Sequence, residues 1–184
     1  MRVIAGSARR LLLKTPKGLE TRPTSDQIKE TLFNILMPYL YDAEFLDLFS
    51  GSGGIGIEAL SRGANHCTFV ENSRPALSCI NDNISHTHFT EQATVFPMDV
   101  FSALNQLEGK KCFDIVFMDP PYNNEYERMV LERLAGSKLI NEDSIIVIEA
   151  SIETDMSYLS DIGYEPVKIK EYKSNKHVIV RRCS

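Results

Sequence analysis

The sequence predicts an α/β domain built on a mostly parallel, doubly wound sheet of seven strands, with helices on both faces and an antiparallel hairpin at its C-terminal end. Five short apolar runs alternate with helical patterns between residues 44 and 149, an order typical of parallel strands joined by right-handed crossover helices. A glycine-rich turn follows the first run, and in such folds a turn of this kind connects the first strand to its helix. After residue 160 the alternation gives way to two successive strand-like runs.

The individual elements follow from apolar periodicity. Strands are expected at residues 44–49, 66–71, 93–98, 113–118 and 144–149, where apolar residues form short continuous runs. Between them, apolar residues recur at helical spacing around residues 55–63, 77–84, 101–104 and 126–134. A short helix near residues 155–160 and strands over 164–171 and 177–182, joined by residues 172–176, complete the predicted core.

The first 40 residues predict an extension to that core. Apolar runs at 3–5 and 11–13 flank a polar stretch, which favours a small β-hairpin with a basic turn. Thr24 and Gln27 have capping-box spacing, and apolar residues between 28 and 39 predict a helix over about 25–38. We therefore expect a single domain over residues 1–184, with residues 1–40 as the extension and residues 41–184 as the cofactor-binding and catalytic core.

Composition and charge narrow the function classes. The sequence has no apolar run of about 18 residues and no secretory pattern, so we expect a cytoplasmic protein without a membrane partner. Its four cysteines and four histidines lack zinc-ligand spacing, so we expect no metal. The net charge is −5, yet residues 1–23 and 168–184 each contain six Lys or Arg against one acid. Because local basic density attracts phosphate, these ends indicate a nucleic-acid surface, unless they are merely solvated.

The turn after the first core strand is a candidate ligand site. Gly51, Gly53 and Gly56 have G-x-G-x-x-G spacing, and glycine lets the backbone turn tightly and approach a ligand closely. No Gly-Lys-Ser/Thr follows, which excludes a Walker loop. Glu71 ends the next strand, where a carboxylate can accept both hydroxyls of a ribose. These residues alone fit NAD or S-adenosyl-L-methionine, or a turn that is only structural.

Two further acids favour S-adenosyl-L-methionine over NAD. Asp47 lies at the strand end just before the glycine turn, where its carboxylate could hold the ammonium of a methionine moiety. The pyrophosphate of NAD has no use for an anion there. Asp99 ends the third strand, where it could accept a hydrogen bond from the adenine amino group.

The tetrapeptide Asp119-Pro120-Pro121-Tyr122 follows the fourth strand, at the same predicted sheet edge as the glycine turn. A base amino group is a poor nucleophile because its lone pair is delocalised into the ring. If the Asp119 carboxylate and the Pro120 carbonyl each accept one N–H, the nitrogen becomes more tetrahedral and its lone pair points at a methyl donor. The prolines hold these acceptors rigidly, and Tyr122 offers a stacking face worth about 1–3 kcal/mol. The motif thus predicts in-line methyl transfer without a covalent enzyme intermediate, the alternative being an ordinary proline turn.

These motifs in this order resemble the class I (Rossmann-like) amino-methyltransferases: Asp47-x-Phe49-x-Gly51-x-Gly53, then Asp119-Pro-Pro-Tyr122. More narrowly, the opening segments resemble the RsmD family, the bacterial guanine-N2 methyltransferases of small-subunit (16S) ribosomal RNA. The segments concerned are Arg2-Val-Ile-Ala-Gly6, Arg22-Pro-Thr24 and Leu32-Phe-Asn34. The similarity extends over essentially the whole chain.

The resemblance implies methyl transfer from S-adenosyl-L-methionine to N2 of a guanine, with the small ribosomal subunit or its assembly intermediate as partner. The residues that would hold the cofactor are Asp47, Phe49, Gly51, Gly53, Glu71, Asn72, Asp99, Val100 and Thr24. Those that would hold the base are Asp119, Pro120, Pro121 and Tyr122. Those that would face RNA are Arg9, Arg10, Lys14 and Arg22.

Three other functions remain open. The same tetrapeptide serves amino groups of adenine, cytosine and glutamine, so a DNA adenine-N6 or protein methyltransferase is one, although the length leaves no room for a separate target-recognition domain. An NAD-dependent oxidoreductase is the second, and it lacks clear hydride-transfer residues. The third is a non-enzymatic RNA-binding or assembly factor, which predicts the loss of cofactor residues that are all present here. We expect an enzyme that acts as a monomer.

Overall fold

Seven strands and five α-helices make up the part of the chain that the computed structural model describes, residues 1–16, 25–122 and 125–183. The strands are β1 (Glu44–Leu48), β2 (His66–Glu71), β3 (Ala93–Pro97), β4 (Ile115–Met118), β5 (Ile145–Ser151), β6 (Tyr164–Glu171) and β7 (Asn175–Arg182). The helices are α1 (Asp26–Leu40), α2 (Gly54–Ser61), α3 (Arg74–His86), α4 (Val100–Leu107) and α5 (Tyr126–Ala135).

The strands form one sheet in the order β3-β2-β1-β4-β5-β7-β6. Strands β1 to β5 are parallel, and β7 enters antiparallel between β5 and β6. The chain order reverses between β1 and β4, which places a crevice at the carboxyl ends of these two strands, where open α/β sheets bind ligands. The predicted fold class is confirmed.

Two apolar layers cover the two faces of the sheet. Side chains alternate along each strand, so Phe117 of β4 faces the layer that contains α1 to α3, whereas Met118 faces the layer that contains α4 and α5. Because the central strands are buried on both faces, their sequences are continuous apolar runs rather than alternating ones. This is why the strand positions could be predicted from the sequence.

Two helical segments differ from their predictions. The side chain of Ser25, not Thr24, caps α1, since its hydroxyl accepts a hydrogen bond from the Ile28 amide at 3.2 Å. Thr24 lies outside the described residues. The short helix expected at 155–160 is a 3₁₀ helix, Ser157–Ile162, which ends at Gly163 with φ of +84°. Only glycine adopts this left-handed conformation at little cost.

The N-terminal segment has the antiparallel course of the predicted hairpin but not its strands. A single bridge joins Arg2 to Leu12, and the Val3 amide donates to the Leu11 carbonyl at 3.0 Å. The amides of Ile4 and Ala5 have other partners, because both donate to one side chain of α2. The Arg10 amide donates to the Val3 carbonyl and the Leu13 amide to the Met1 carbonyl, both at 2.9 Å, but beyond Val3 long-range bonds to a helix replace the ladder that a hairpin would form.

That side chain is Glu58, a fully buried carboxylate that joins the N-terminal segment, α1 and α2. Its two oxygens accept from Ile4 and Ala5 at 2.8 and 3.0 Å. They also lie 3.2 Å from the Lys29 ammonium and 2.8 Å from the Arg62 guanidinium. Burial lowers the pKa of Lys29, and the nearby Glu58 charge opposes that shift. The Glu58 carboxylate therefore accepts hydrogen bonds from two amides and forms ion pairs with two cations, of which Lys29 is itself buried.

Replacing Glu58 with Ala should lower the free energy of unfolding by about 3–5 kcal/mol, since it leaves Lys29 buried without its counter-ion. Urea denaturation followed by circular dichroism measures the loss. Glu132→Ala is the matched control, because Glu132 forms an exposed ion pair with Arg128. The control should cost less than about 1 kcal/mol. Equal losses in the two variants would contradict the role assigned to Glu58.

Candidate active site

The candidate site lies at the carboxyl edge of the sheet, where four acidic side chains come from four neighbouring strands. Glu71 ends β2, Asp47 lies near the end of β1, Asp119 follows β4, and Glu149 lies near the end of β5. Parallel register makes neighbours of these residues. Asp47 of β1 is level with Phe117 of β4, which lies two residues before Asp119. The last register pair of β4 and β5 is Met118 with Ile148, so the next residues, Asp119 and Glu149, are level with each other. Residues level with each other on adjacent strands face the same side of a sheet.

Asp47 is almost fully buried beneath the glycine turn, at 1% exposure. One carboxylate oxygen accepts a hydrogen bond from the Gly56 amide at 3.0 Å, in the first turn of α2. Burial raises the pKa of Asp47 to about 7, the Gly56 hydrogen bond opposes the shift, and the charge of Glu71 adds to it. Because burial disfavours the ionised form of Asp47, a positively charged ligand group beside it would be stabilising.

Glu71 holds the glycine turn itself. Its carboxylate accepts hydrogen bonds from the amide of Gly51 at 2.8 Å and from the amides of Asn72 and Ser73 at 2.9 and 2.8 Å. Gly51 and Gly53 have φ of +56° and +80°, which a side chain would disfavour. The amides of Gly51 and Gly56 therefore already donate hydrogen bonds to carboxylates and are not available to bind a phosphate.

A cavity of about 240 Å³ opens beside this turn. It is smaller than the roughly 300–1,000 Å³ of pockets that enclose a whole drug-sized ligand, so it suits one part of an extended cofactor. The residues that line it are Phe49, Val70, Glu71, Asn72, Met98, Asp99, Val100, Phe101, Tyr126 and Met129. Five of the predicted cofactor residues are among them.

The sequence did not reveal the aromatic wall of this cavity. The Tyr126 ring stacks near that of Phe101, with centroids 6.3 Å apart and planes at 25°. It also meets Phe49 edge-on at 5.6 Å. The sequence pattern places Phe101 and Tyr126 only in helical apolar patterns. Both lie in the first turn of a helix that follows a strand of the parallel sheet, α4 after β3 and α5 after β4, and this position is the signal that could mark them as lining residues. Their flat faces suit a planar ring.

Asp99 lines the cavity and also caps α4. Its carboxylate accepts from the Ser102 amide at 3.0 Å and from the Ser102 hydroxyl at 2.5 Å. These hydrogen bonds lower the pKa of Asp99, so it is ionised at neutral pH. An ionised carboxylate has about four acceptor sites, which leaves capacity for a donor in the cavity.

The Asp119 tetrapeptide lies at the same edge. Pro120 is buried, whereas Asp119, Pro121 and Tyr122 are exposed, with Tyr122 at 42%. Burial of the carboxyl raises the pKa of Asp119 to about 8, and the charges of Glu149, Asp47 and Glu127 add to the shift. Although part of the residue reaches solvent, its carboxyl lies in a cleft between other acids, and these three like charges act in the same direction.

Of the residues predicted to face RNA, Lys14 lies near this edge, because the Asn83 side chain bonds both the Lys14 backbone and the Ser52 carbonyl of the glycine turn. Arg9 and Arg10 lie farther away. Arg9 and Arg10 are exposed on the N-terminal loop, whose Ser7 amide donates to the Ser61 carbonyl at the C-terminal end of α2. The crevice lies at the opposite end of that helix, about 12 Å away for eight residues. Lys14 forms a surface ion pair with Asp82 of α3 at 2.8 Å. Arg22 lies outside the described residues.

The described residues contain neither a cluster suited to a metal ion nor a helix suited to a membrane. Within residues 1–16, 25–122 and 125–183, no three His, Cys, Asp or Glu side chains are grouped so as to hold a metal ion. Over the same ranges, no helix combines the length and apolarity needed to cross a bilayer.

Comparison with known proteins identifies the family. The sequence matches the family described as "Conserved hypothetical protein 95" over residues 1–181. Ribosomal RNA small subunit methyltransferase D of Haemophilus influenzae is 37% identical over 152 residues, which cover 81% of this chain and 78% of that protein. The chain belongs to this methyltransferase family. The protein of the same name from Escherichia coli K12 is 34% identical over 156 residues, or 85% and 77% of the two chains.

A solved structure agrees with this assignment. The Escherichia coli protein yhhF aligns with a TM-score of 0.85 at 30% identity, covering 100% of this chain and 98% of that one. The resemblance drawn from the opening segments and the Asp-Pro-Pro-Tyr motif is confirmed, and so is the prediction of a methyltransferase. The roles of single residues stay predictions.

Replacing Asp47 with Asn should stabilise the ligand-free protein increasingly as pH rises. An exposed Asp titrates near 3.8, whereas burial raises the pKa of Asp47 to about 7. Between these values the native state holds a proton that the unfolded chain has released, so wild-type stability falls as pH rises. The variant lacks this loss, and the difference should grow from pH 4 to 7 and reach on the order of 2–4 kcal/mol above it.

Urea denaturation at several pH values measures this difference. Asp82→Asn is the control, since Asp82 is a surface residue paired with Lys14, and its effect should stay within about 1 kcal/mol at every pH. A constant difference between Asp47→Asn and wild type from pH 4 to 8 would contradict the cost assigned to the buried charge.

Proposed function

We propose that the protein transfers a methyl group from S-adenosyl-L-methionine to the N2 amino group of a guanine in small-subunit ribosomal RNA. The observation that carries this proposal is the common location of two features at one sheet edge. The acidic glycine turn and its cavity follow β1 and β2, and the Asp119 tetrapeptide follows β4, the strand next to β1. A methyl donor and an amino acceptor can therefore meet between adjacent strands.

Charge supports S-adenosyl-L-methionine over NAD. The turn amides of Gly51 and Gly56 already donate to Glu71 and Asp47, so they are not available to a pyrophosphate. Asp119 brings a third carboxyl to the same edge. An anionic ligand would meet repulsion there, whereas a ligand that carries a sulfonium and an ammonium would relieve it. Asp47 would hold the ammonium, Glu71 the ribose and Asp99 the adenine.

The chain's own residues supply the acceptor half of the chemistry. When bound, S-adenosyl-L-methionine provides a methyl group on a positively charged sulfur. The Asp119 carboxylate and the Pro120 carbonyl accept the two N–H groups and direct the nitrogen lone pair, while Tyr122 stacks on the base. As the N–C bond formed, the methyl–sulfur bond would break and leave its electron pair on sulfur. One N–H bond would then break, its electron pair would stay on nitrogen, and Asp119 would take the proton. A carboxyl with a pKa of about 8 is a suitable acceptor near neutral pH.

The proposed RNA substrate and its target atom are inferred from related proteins. Ribosomal RNA small subunit methyltransferase D of Haemophilus influenzae and of Escherichia coli is named for the RNA of the small subunit. We extend that substrate to this chain, with the subunit or its assembly intermediate as partner in the cytoplasm. The choice of guanine N2 follows from the resemblance of the opening segments. We also propose that the protein acts as a monomer.

Labelled S-adenosyl-L-methionine tests the activity directly. The protein is incubated separately with naked ribosomal RNA, small subunits, duplex DNA and protein, followed by nucleoside analysis. We expect label as N2-methylguanine from ribosomal RNA or small subunits. Transfer only to DNA or protein would overturn the proposed substrate, and transfer to none would overturn the activity.

Two variants of β4 and its flanks separate catalysis from folding in that assay. Asp119→Ala should lower kcat/KM on the order of 10²-fold or more, because the base loses a positioned hydrogen-bond partner. Calorimetry should show that it still binds S-adenosyl-L-methionine. Asp114→Ala is the control, since Asp114 lies before β4, at the opposite edge of the sheet, where it accepts from the Glu44 amide. A loss of similar size in the control would contradict the assignment of Asp119.

The exposed arginines of the N-terminal loop should contribute to RNA affinity. Replacing Arg9 and Arg10 with Ala removes two charges that can each neutralise a phosphate. The slope of log affinity against log salt should then fall by about one to two, and cofactor affinity should not change. Filter binding at several salt concentrations measures the slope. Lys110→Ala with Lys138→Ala removes two exposed charges beside the other apolar layer and is the control. An unaltered slope in the arginine variant would reject the assignment.

A further inference from the structure

A buried polar cluster stands beside the proposed base site. Glu149 of β5 is 6% exposed, and His177 of β7, its direct register partner, is fully buried. The His177 ring Nε2 lies 3.2 Å from one Glu149 oxygen, and the Asn175 side-chain amide donates to the other at 2.6 Å. The Tyr172 hydroxyl contacts the second ring nitrogen of His177 at 3.4 Å. Both carboxylate oxygens of Glu149 are therefore held in place.

Packing of the strands does not require this cluster. The preceding register pairs of the same two strands are apolar, Val147 with Ile179 and Ile148 with Val178, and all four residues are buried. A carboxylate and an imidazole at the next pair cost desolvation that another apolar pair would avoid. Polar groups that are buried in an otherwise apolar core often mark functional positions.

The cluster is adjacent to Asp119. Glu149 lies one step beyond the last register pair of β5 with β4, and Asp119 lies one step beyond the same pair. Other ionisable groups also face Asp119 or its neighbours. They are Asp47 from β1, Glu127 from α5, His177 from β7 and Tyr172 from the turn before β7. Of the charges that act on Asp119, that of Glu149 has the largest effect, and it is the one whose position two hydrogen bonds fix.

We propose that Glu149, held by Asn175 and His177, is a positioning residue that keeps a proton on the Asp119 carboxyl while the site is empty. Two carboxylates side by side cannot both ionise cheaply, and Glu149 is the one that receives hydrogen bonds. Asp119 then ionises when positive charge enters the site, which is when it must accept an N–H. After the reaction, the same repulsion favours return of a proton to Asp119. This sequence of events rests on the proposed function, whereas the effect of Glu149 on Asp119 does not.

Glu149→Gln tests the effect directly. Glutamine keeps the shape, and its carbonyl oxygen can still accept from Asn175. Its NH2 can donate to His177 once the imidazole takes the tautomer with Nε2 unprotonated, so the contacts are kept and the charge is lost. Carbon NMR of protein labelled at the Asp side-chain carboxyl follows the titration of Asp119, identified by its absence in Asp119→Asn. The Asp119 titration should move to lower pH by about one unit or more, the size expected when a nearby buried charge is removed.

A second variant guards against a folding defect in the first. Asn175→Ala removes one of the two contacts that hold the Glu149 carboxylate beside Asp119, so the Asp119 titration should move in the same direction by a smaller amount. Glu165→Gln is the matched control, since Glu165 forms an exposed pair with Arg181 on the edge strand β6, and it should leave the titration unchanged. If Asp119 titrates at the same pH in Glu149→Gln, Asn175→Ala and Glu165→Gln, the proposal is overturned.

Kinetics provide a readout that a structural role alone would not move. In Glu149→Gln, the acid limb of kcat/KM should shift to lower pH in parallel with the Asp119 titration. A lower kcat/KM with an unshifted limb would reduce Glu149 to a structural residue and overturn the proposal. If wild type methylates none of the tested substrates, the proposed function fails, yet the NMR titration still decides the role of Glu149.

Discussion

Repulsion between carboxyl groups at one sheet edge is the constraint on which the site depends. Glu71, Asp47, Asp119 and Glu149 come from four adjacent strands, and their spacing is fixed by parallel register. Hydrogen bonds from backbone amides or neighbouring side chains hold three of them, whereas Asp119 borders the open cleft. The ligand-free site therefore holds an unfavourable electrostatic arrangement that a bound cation would relieve. In the proposed function, cofactor binding and activation of the acceptor nitrogen would both depend on this arrangement.

Much of the fold was predictable because the central strands are buried on both faces, so their positions are written as short apolar runs. The Asp119 tetrapeptide and the glycine turn were predictable for a different reason, since each needs particular residue types in consecutive positions. The loss of regular strands in the N-terminal segment was not predictable, because the Ile4 and Ala5 amides bond to Glu58, which is more than 50 residues away. The same holds for Glu149 and His177, which become neighbours only through the register of β5 with β7.

The helical layers on the two faces of the sheet contribute different parts of the structure around the site. The layer with α1 to α3 holds the N-terminal segment through Glu58, and α2 of that layer begins at the glycine turn. The layer with α4 and α5 supplies the aromatic wall of the cavity through Phe101 and Tyr126. The crevice opens where both layers reach the edge, so a bound cofactor would contact both layers while each keeps a continuous apolar core.

The contact of Gly6 with the end of α2 has a consequence for how a large polyanion is recognised. A Cβ built on Gly6 would lie 1.7 Å from the Ser61 carbonyl oxygen, so the loop backbone rests directly on the helix. The Ser61 hydroxyl also donates to the Ala5 carbonyl at 2.6 Å. Arg9 and Arg10 thus extend from a backbone that is already ordered. In the proposed binding of RNA, association would cost side-chain freedom but little main-chain entropy, so this short arm would contribute more affinity per charge than a flexible tail.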